Sequence, residues 1–126
     1  MDLNTLLKIG ETRVNEYIVN AENTAAFLGN KDINVLSTPS MISFMEITAK
    51  DLVIDKLPEN FRVVGTKVNI NHINPTPMNA KVIVEATLMD IEGSKLHFIV
   101  EAFNETCRIG FGDYEQQVIQ LGDLKY

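Results

Sequence analysis

The stretch STPSMISFMEITAKDLVIDKL, Ser37 to Leu57, constrains the fold most, because it predicts one long helix. Thr38 is suited to the N-cap and Pro39 to the first helical position, where no backbone donor is needed. At about 100° per residue, one broad arc of the helix is apolar and must be buried. It collects Met41, Ile42, Phe44, Met45, Ala49, Leu52 and Val53. Glu46 lies at the edge of this arc, so we expect its carboxylate to be half-buried.

Alternation with period two replaces the helical period after residue 60 and predicts strands. Val64, Thr66, Val68 and Ile70 share one strand face, and His72 ends this row. The predicted strands are Thr12–Val19, about 64–72, about Ala80–Ile91, Lys95–Phe103 and Cys107 to about Leu121. The order is one strand at a sheet edge, the helix, and a meander of four consecutive strands. It predicts an α+β domain in which a curved, five-stranded antiparallel sheet wraps one long helix. An open sheet leaves an edge, for which pairing in a homodimer is a natural solution.

Composition excludes several classes of function. With 126 residues the chain is long enough for one domain, residues 1–126. Its net charge is −6 and its basic residues are scattered, which argues against a nucleic-acid partner. No run of ~18 apolar residues predicts a membrane span, and the start lacks a basic, apolar leader, so we expect a cytoplasmic protein. One cysteine, Cys107, expected as a small strand residue, and two histidines predict neither a disulfide nor a zinc site.

Three residues have side chains suited to the hydrolysis of an activated acyl group: Thr38, Glu46 and His72. A carboxylate or imidazole can act as nucleophile or base, and a hydroxyl can donate to a developing oxyanion. Each also has a structural reading: Thr38 as an N-cap, Glu46 as the partner of Lys50, and His72 as a hydrogen-bonded strand histidine. Because eight helical residues rise ~12 Å, Thr38 and Glu46 cannot flank one carbonyl unless a second subunit contributes. His97 is expected to be structural.

Several short motifs together resemble the hotdog-fold acyl-CoA thioesterases of the fluoroacetyl-CoA thioesterase type. They are Ser37-Thr38-Pro39, Phe44-Met45-Glu46, Val64-Gly65-Thr66, His72 followed by Pro75 and Pro77, Glu92-Gly93, and Ile109-Gly110-Phe111-Gly112. The resemblance runs from about Lys31 to Ile119, and the joint spacing of Thr38, Glu46, Gly65 and His72 is its most specific part. It implies the hotdog fold and a homodimer, or a tetramer of such dimers, with active sites at the subunit interface.

The resemblance also implies residue roles. Thr38, Glu46 and His72 fall on the family's catalytic triad. In the implied mechanism Glu46 attacks the thioester or directs water, His72 is the general base, and Thr38 hydrogen-bonds the carboxylate or the thioester. Gly65 falls on a glycine of the acyl pocket, and the further predicted substrate-binding residues are Ile33, Met41 and Gly112. No metal and no redox cofactor are implied, and coenzyme A enters as part of the substrate.

Two departures from the family pattern bear on the substrate. Tyr114 and Gln116 stand where the family's last strand usually carries His and Arg, and Asp32 stands where the fluoroacetyl-specific enzyme has a phenylalanine gate. A general short-chain or medium-chain acyl-CoA thioesterase is therefore the favoured function. The alternatives are an enoyl-CoA hydratase or dehydratase of the same fold, which would use Glu46 and His72 for proton transfer, and a non-catalytic module that binds acyl-CoA.

Overall fold

A computed structural model describes residues 1–124 of the chain and contains two α-helices and five strands in that range. The helices are α1 (Leu3–Leu6) and α2 (Thr38–Val53). The strands are β1 (Thr12–Ile18), β2 (Phe61–His72), β3 (Lys81–Glu92), β4 (Lys95–Phe103) and β5 (Arg108–Gln120). Short 3₁₀ turns lie at Ala21–Asn23, Ile54–Lys56 and Leu121–Asp123. These bounds agree closely with the predicted strands, and β4 matches at both ends.

The strands form one antiparallel sheet in the order β1-β3-β4-β5-β2. Only β3, β4 and β5 form a meander, so the prediction of four strands joined in succession is wrong. β2 is not adjacent to β3, because β1 pairs with that edge of β3. Residues 73–80 therefore connect β2, at one edge of the sheet, to β3 near the other edge. β2 pairs along its full length with β5. The sheet edges are therefore β1, as predicted, and β2.

The core lies between α2 and the middle strands. The buried residues of α2 are Met41, Phe44, Met45, Thr48, Ala49, Leu52 and Val53, which follow the predicted apolar arc except that Thr48 is buried and Ile42 is only partly buried. They face the alternate residues of β3 and β4 that the period-two pattern predicted to be inward. Those residues are Val82, Val84, Ala86, Leu88, Leu96, Phe98, Val100 and Ala102, all fully buried. The ring of Phe44 stacks on that of Tyr17 in β1, with centroids 4.3 Å apart.

The start of α2 differs from the prediction by one residue. Ser37, not Thr38, is the N-cap, and its Oγ accepts from the amide of Ser40 at 3.2 Å. Thr38 is the first helical residue, followed by Pro39 in the first turn. Its hydroxyl is therefore released from capping. The helix also ends at Val53, before the 3₁₀ turn, rather than at Leu57.

A β-bulge in β2 changes which residues face the helix. Gly65 pairs with Gln116 and Lys67 with Glu115, so Thr66 is an extra residue in the strand. Before the bulge, Val63 and Gly65 lie on the helix side of the sheet, and after it Val68, Ile70 and His72 do. The prediction that Val64 and Thr66 share a face with His72 is therefore wrong, since an alternation pattern cannot show an inserted residue.

The β2 edge leaves apolar side chains uncovered. Val68 on β2 is 46% exposed although it faces the helix side, and Ile47 on α2 is 38% exposed.

Cys107 lies in the exposed turn between β4 and β5, not inside a strand as predicted, because its amide and the turn fold around Asn104 Oδ1. Within residues 1–124 no helix has the length and apolar character needed to span a membrane.

Candidate active site

Thr38 and His72 lie in direct contact at the N-terminal end of α2. The Oγ1 of Thr38 is 2.8 Å from Nδ1 of His72, which stands at the end of β2 opposite Gly110 of β5. Both side chains line a cleft of about 460 Å³. Its other wall is formed by the loop before α2, including Asn30, Val35 and Leu36.

The surroundings of His72 favour the neutral form of its imidazole. Burial lowers the pKa of its imidazole below the ordinary 6.5, an effect that the backbone at Asn74 opposes. The ring is therefore mainly neutral at pH 7. Its Nε2 is buried and has no hydrogen-bond partner among residues 1–124. When Nδ1 carries the proton and donates to Thr38, Nε2 holds the lone pair that proton abstraction requires.

Glu46 lies in a second cleft, of about 360 Å³, farther along α2. Its Oε2 accepts a hydrogen bond from the hydroxyl of Tyr114 at 3.2 Å. Burial, together with the nearby charge of Glu46, raises the pKa of Tyr114 above its usual range, so the phenol keeps its proton and donates. The Glu46 side chain is exposed in the single chain rather than half-buried as predicted. In the described residues it forms no ion pair with Lys50 within 4.0 Å.

Gly65 makes room for this pair. A Cβ built at Gly65 would lie 2.5 Å from Glu46 Oε2 and 2.9 Å from the Tyr114 hydroxyl, closer than real Cβ atoms approach other atoms. Any side chain at this position would therefore displace the carboxylate or the phenol. The family resemblance placed this glycine in the acyl pocket, and in this chain the lack of a side chain at position 65 avoids a steric clash with Glu46 and Tyr114.

Gln116 completes the floor of the second cleft. It pairs with Gly65 across the β2–β5 ladder and is fully buried. Neither Nε2 nor Oε1 of its side chain has a hydrogen-bond partner in the described part of the chain. Buried polar atoms are nearly always partnered, so an unpaired amide beside Glu46 marks this cleft as unusual.

One chain does not bring Thr38, Glu46 and His72 to a single point. The eight residues of helix between Thr38 and Glu46 rise ~12 Å. Gly65, which touches Glu46, is separated from His72 by roughly 20 Å of extended strand. Thr38 and His72 therefore lie together in one cleft, and Glu46 and Gly65 lie together in the other.

The other predicted substrate-binding residues lie in different places. Ile33 is in the loop before α2, 42% exposed, and its carbonyl accepts from the amide of Ala26. Met41 is fully buried and packs against Gly110, where a Cβ would meet its sulfur. Gly112 is required by the backbone, since a Cβ there would collide with the carbonyl of Asn69 in β2.

Tyr114 and Gln116 were not predicted as site residues from the sequence. The available signal was their position: they are the two places on the last strand where the chain departs from the family pattern. His97, expected to be structural, forms a hydrogen bond of 2.8 Å between its Nε2 and Asp113 Oδ1 on the outer face of the sheet. This contact lies away from both clefts and fits a structural role.

The model of the fluoroacetyl-CoA-specific thioesterase family, FlK, matches residues 19–121 of the sequence. The chain belongs to this family. The matched range covers α2, all of β2 to β5 and every residue of the two clefts described above. No curated protein sequence matches the chain significantly.

Solved structures agree with the family assignment. A variant of FlK in complex with fluoroacetate and CoA is 26% identical, covers 94% of this chain and 100% of its own, and superposes with a TM-score of 0.87. A thioesterase superfamily member from Thermus thermophilus is 28% identical over 91% of this chain and 85% of its own, with a TM-score of 0.83. A hot-dog-like protein from Thermanaerovibrio acidaminovorans has a TM-score of 0.89 at 23% identity over 97% of this chain and 90% of its own, which shows the fold alone.

These findings confirm the predicted α+β hotdog fold and the predicted enzyme class. The chain is a hotdog-fold acyl-CoA thioesterase, that is, a thioester hydrolase. The hydratase and binding-module alternatives lose their support, because the family and its solved relatives are thioesterases.

Proposed function

We propose that the enzyme is a homodimer that hydrolyses a small or medium acyl-CoA at the subunit interface. Each active site takes Thr38 and His72 from one subunit and Glu46 from the other. The observation that carries this proposal is the division of the three residues between two clefts in one chain. A second copy of the chain is the simplest source of the missing group.

The exposed β2 edge supports a dimer. β2 is a twelve-residue edge strand that pairs with β5 on one side only, so its other side presents free backbone donors and acceptors. Val68 and Ile47 leave apolar surface beside it. Pairing of this edge with its own copy across a two-fold axis would bury both features.

Such pairing would also bring the catalytic groups together. When two identical strands pair antiparallel about their midpoint, the end of one lies beside the start of the other. For β2 the midpoint lies between residues 66 and 67, so His72 of one subunit would lie beside residues 61–62 of its partner. These residues immediately precede Val63, which lines the Glu46 cleft. The Thr38–His72 cleft of one subunit would then open onto the Glu46 cleft of the other.

Hydrolysis in this site uses each group for one task. In the direct route, His72 Nε2 takes a proton from water, whose oxygen attacks the thioester carbonyl carbon; the C–S bond then breaks, and the coenzyme A thiolate takes the proton back from the imidazole. In the covalent route, the Glu46 carboxylate attacks the carbonyl carbon first, the C–S bond breaks and the thiolate leaves, which forms an acyl-Glu46 anhydride. Water that gives its proton to His72 then attacks this anhydride, which releases the acid and the Glu46 carboxylate, and the imidazole passes the proton to the thiolate. Thr38 holds the ring through Nδ1, and Tyr114 holds the carboxylate. The products are a free acid and coenzyme A, and no metal or redox cofactor takes part.

The substrate class follows from the site and the relatives. The FlK relative binds fluoroacetate and CoA. In this chain Asp32, at the position of the family's phenylalanine gate, has no aromatic ring with which to select fluoroacetyl groups. A cleft of about 360 Å³ beside Glu46 suits a short or medium acyl chain. A cytoplasmic localisation and the assembly of dimers into tetramers remain predictions from the sequence.

The test is release of free thiol from acyl-CoAs that range from acetyl to palmitoyl. We expect turnover of a short or medium member by the wild type and its loss in Glu46→Gln and His72→Ala. Matched controls are Glu105→Gln, in the exposed turn before β5, and His97→Ala, on the outer face. No thiol release from any substrate, or equal rates in Glu46→Gln and wild type, would refute the proposal.

A further inference from the structure

The Gln116 amide is a buried polar group that the hydrolysis described above does not use. Its side chain is fully buried at the floor of the Glu46 cleft, yet both of its polar atoms lack partners within residues 1–124. The cleft around it combines three aliphatic side chains, those of Ile47, Val63 and Val64, with the polar groups of Glu46, Lys50 and Tyr114. An amide in such surroundings is costly for folding, because it has given up its hydrogen bonds to water.

The stability of the fold does not require a glutamine at position 116. Methionine has a similar length and volume and would fill the same space without an unpaired donor and acceptor. Polar groups held at a cost to stability are typical of functional sites. A ligand with a matching acceptor and donor would repair the deficit, and the cleft offers the route by which it enters.

The position of Gln116 decides which part of the ligand it meets. In the proposed site Glu46 acts at the thioester carbonyl. The acyl group extends from this carbonyl in one direction, and the pantetheine arm of coenzyme A extends in the other. The arm must continue outward to the charged nucleotide of coenzyme A, which stays in solvent. A fully buried residue at the floor of the cleft is therefore reached by the end of the ligand that terminates inside, which is the acyl group.

We propose that the preferred substrate carries an acyl group with a neutral hydrogen-bonding substituent, such as a hydroxyl, which binds the Gln116 amide. This inference rests on the proposed function. A hydroxyl both donates and accepts, as the unpaired Oε1 and Nε2 require. A carboxylate accepts hydrogen bonds but donates none, so it would leave Oε1 of Gln116 unpaired.

The experiment compares butyryl-CoA with 2-hydroxybutyryl-CoA and 3-hydroxybutyryl-CoA, which have the same chain length. We expect the wild type to prefer one hydroxyacyl substrate by about tenfold or more in kcat/KM, because a site built to bind a hydroxyl rejects the analogue that lacks it. Gln116→Met should lose this preference and still hydrolyse butyryl-CoA. The control Gln117→Met makes the same change on the opposite face of β5 and should keep it.

A second readout does not depend on turnover. Gln116→Met should raise the Tm, since it removes an unpaired buried amide, and the free hydroxybutyrates should raise the Tm of the wild type but not of this variant. A lower Tm in Gln116→Met would mean that the amide is paired within the dimer, which would overturn the inference. Gln116→Leu serves as a second apolar variant if the methionine variant does not fold.

The remaining outcomes separate the inference from the function on which it rests. Equal kcat/KM values for butyryl-CoA and the hydroxyacyl substrates would overturn the inference and leave the thioesterase intact. An equal loss for all three substrates in Gln116→Met would assign the amide to the pantetheine arm and would also overturn it. If no acyl-CoA releases thiol, the proposed function fails and the inference fails with it.

Discussion

The hydroxyl of Thr38 bonds to Nδ1 of His72 at 2.8 Å, and this contact joins the first turn of α2 to the last residue of β2. It is possible because Ser37 caps the helix and leaves the Thr38 side chain free. Glu46, the third residue of the expected triad, has a different partner, Tyr114. The three residues are thus divided between two clefts of one chain.

Thr38→Val should lower kcat/KM by about tenfold or more, because the imidazole loses the hydrogen bond that fixes its orientation. Thr38→Ser keeps the hydroxyl and should keep most of the activity. Ser37→Ala should lower the free energy of unfolding by about 1 kcal/mol, because it removes the N-cap of α2. Thr38→Val leaves the N-cap in place and should not cause this loss. Thermal unfolding and thiol release measure the two effects separately. A stability loss confined to Thr38→Val would return the N-cap to Thr38.

The pH dependence of kcat/KM should show the lowered pKa of His72. The base must be neutral, so activity should fall on acidification through a pKa below the ordinary 6.5 and stay high above it. The same shift affects folding: the unfolded chain takes up the proton first, so stability should decline as the pH falls below 6.5. His72→Ala should abolish the acidic limb in the residual rate. A wild-type limb above pH 6.5 would contradict the assignment.

Gly65→Ala should disrupt the Glu46 cleft. The added Cβ would lie 2.5 Å from Glu46 Oε2, so either the carboxylate moves or the strand shifts. We expect a loss of more than about tenfold in kcat/KM with little change in Tm, because the Glu46 carboxylate is the end of an exposed, flexible side chain and can move aside. Gly122→Ala is the control, since a Cβ at Gly122 meets nothing within 4 Å. Wild-type kinetics in Gly65→Ala would show that the Glu46 position does not matter.

Val68→Asp should separate the subunits. Val68 lies on the helix side of β2 but is exposed at this sheet edge, and a carboxylate buried between two copies of the edge would lack a partner. Sedimentation should show a monomer, and thiol release should disappear with the dimer. Val14→Asp places the same charge on an exposed valine of the other edge strand, β1, and should leave a dimer. An active dimer of Val68→Asp would place the interface elsewhere.

The sequence predicted the parts of the fold that depend on local periodicity. The arc of α2 and the inward residues of β3 and β4 follow from patterns within single elements, and they appear in the structure nearly as predicted. The pairing of β2 with β5 could not be predicted in this way, because nothing inside β2 distinguishes β5 from β3 as a partner. The bulge at Thr66 was hidden for the same reason: an inserted residue looks like continued alternation.

The site was predicted in its members but not in its contacts. Family spacing selected Thr38, Glu46, Gly65 and His72, yet it could not show that Thr38 binds His72 or that Gly65 clears space for Glu46. Tyr114 and Gln116 reach the cleft only because the β2–β5 register brings Gln116 opposite Gly65. Contacts between residues 46, 65 and 114 depend on tertiary structure, which a one-dimensional pattern does not contain.

The most direct test of the divided site is complementation between two inactive variants. Glu46→Gln and His72→Ala are each purified, shown to be inactive, then unfolded and refolded together. If each site takes Glu46 from one subunit and His72 from the other, random pairing restores one intact site in half of the dimers, or roughly one quarter of wild-type activity. If both residues act within one chain, every site keeps a defect, and a mixture that stays inactive while containing heterodimers would contradict the account.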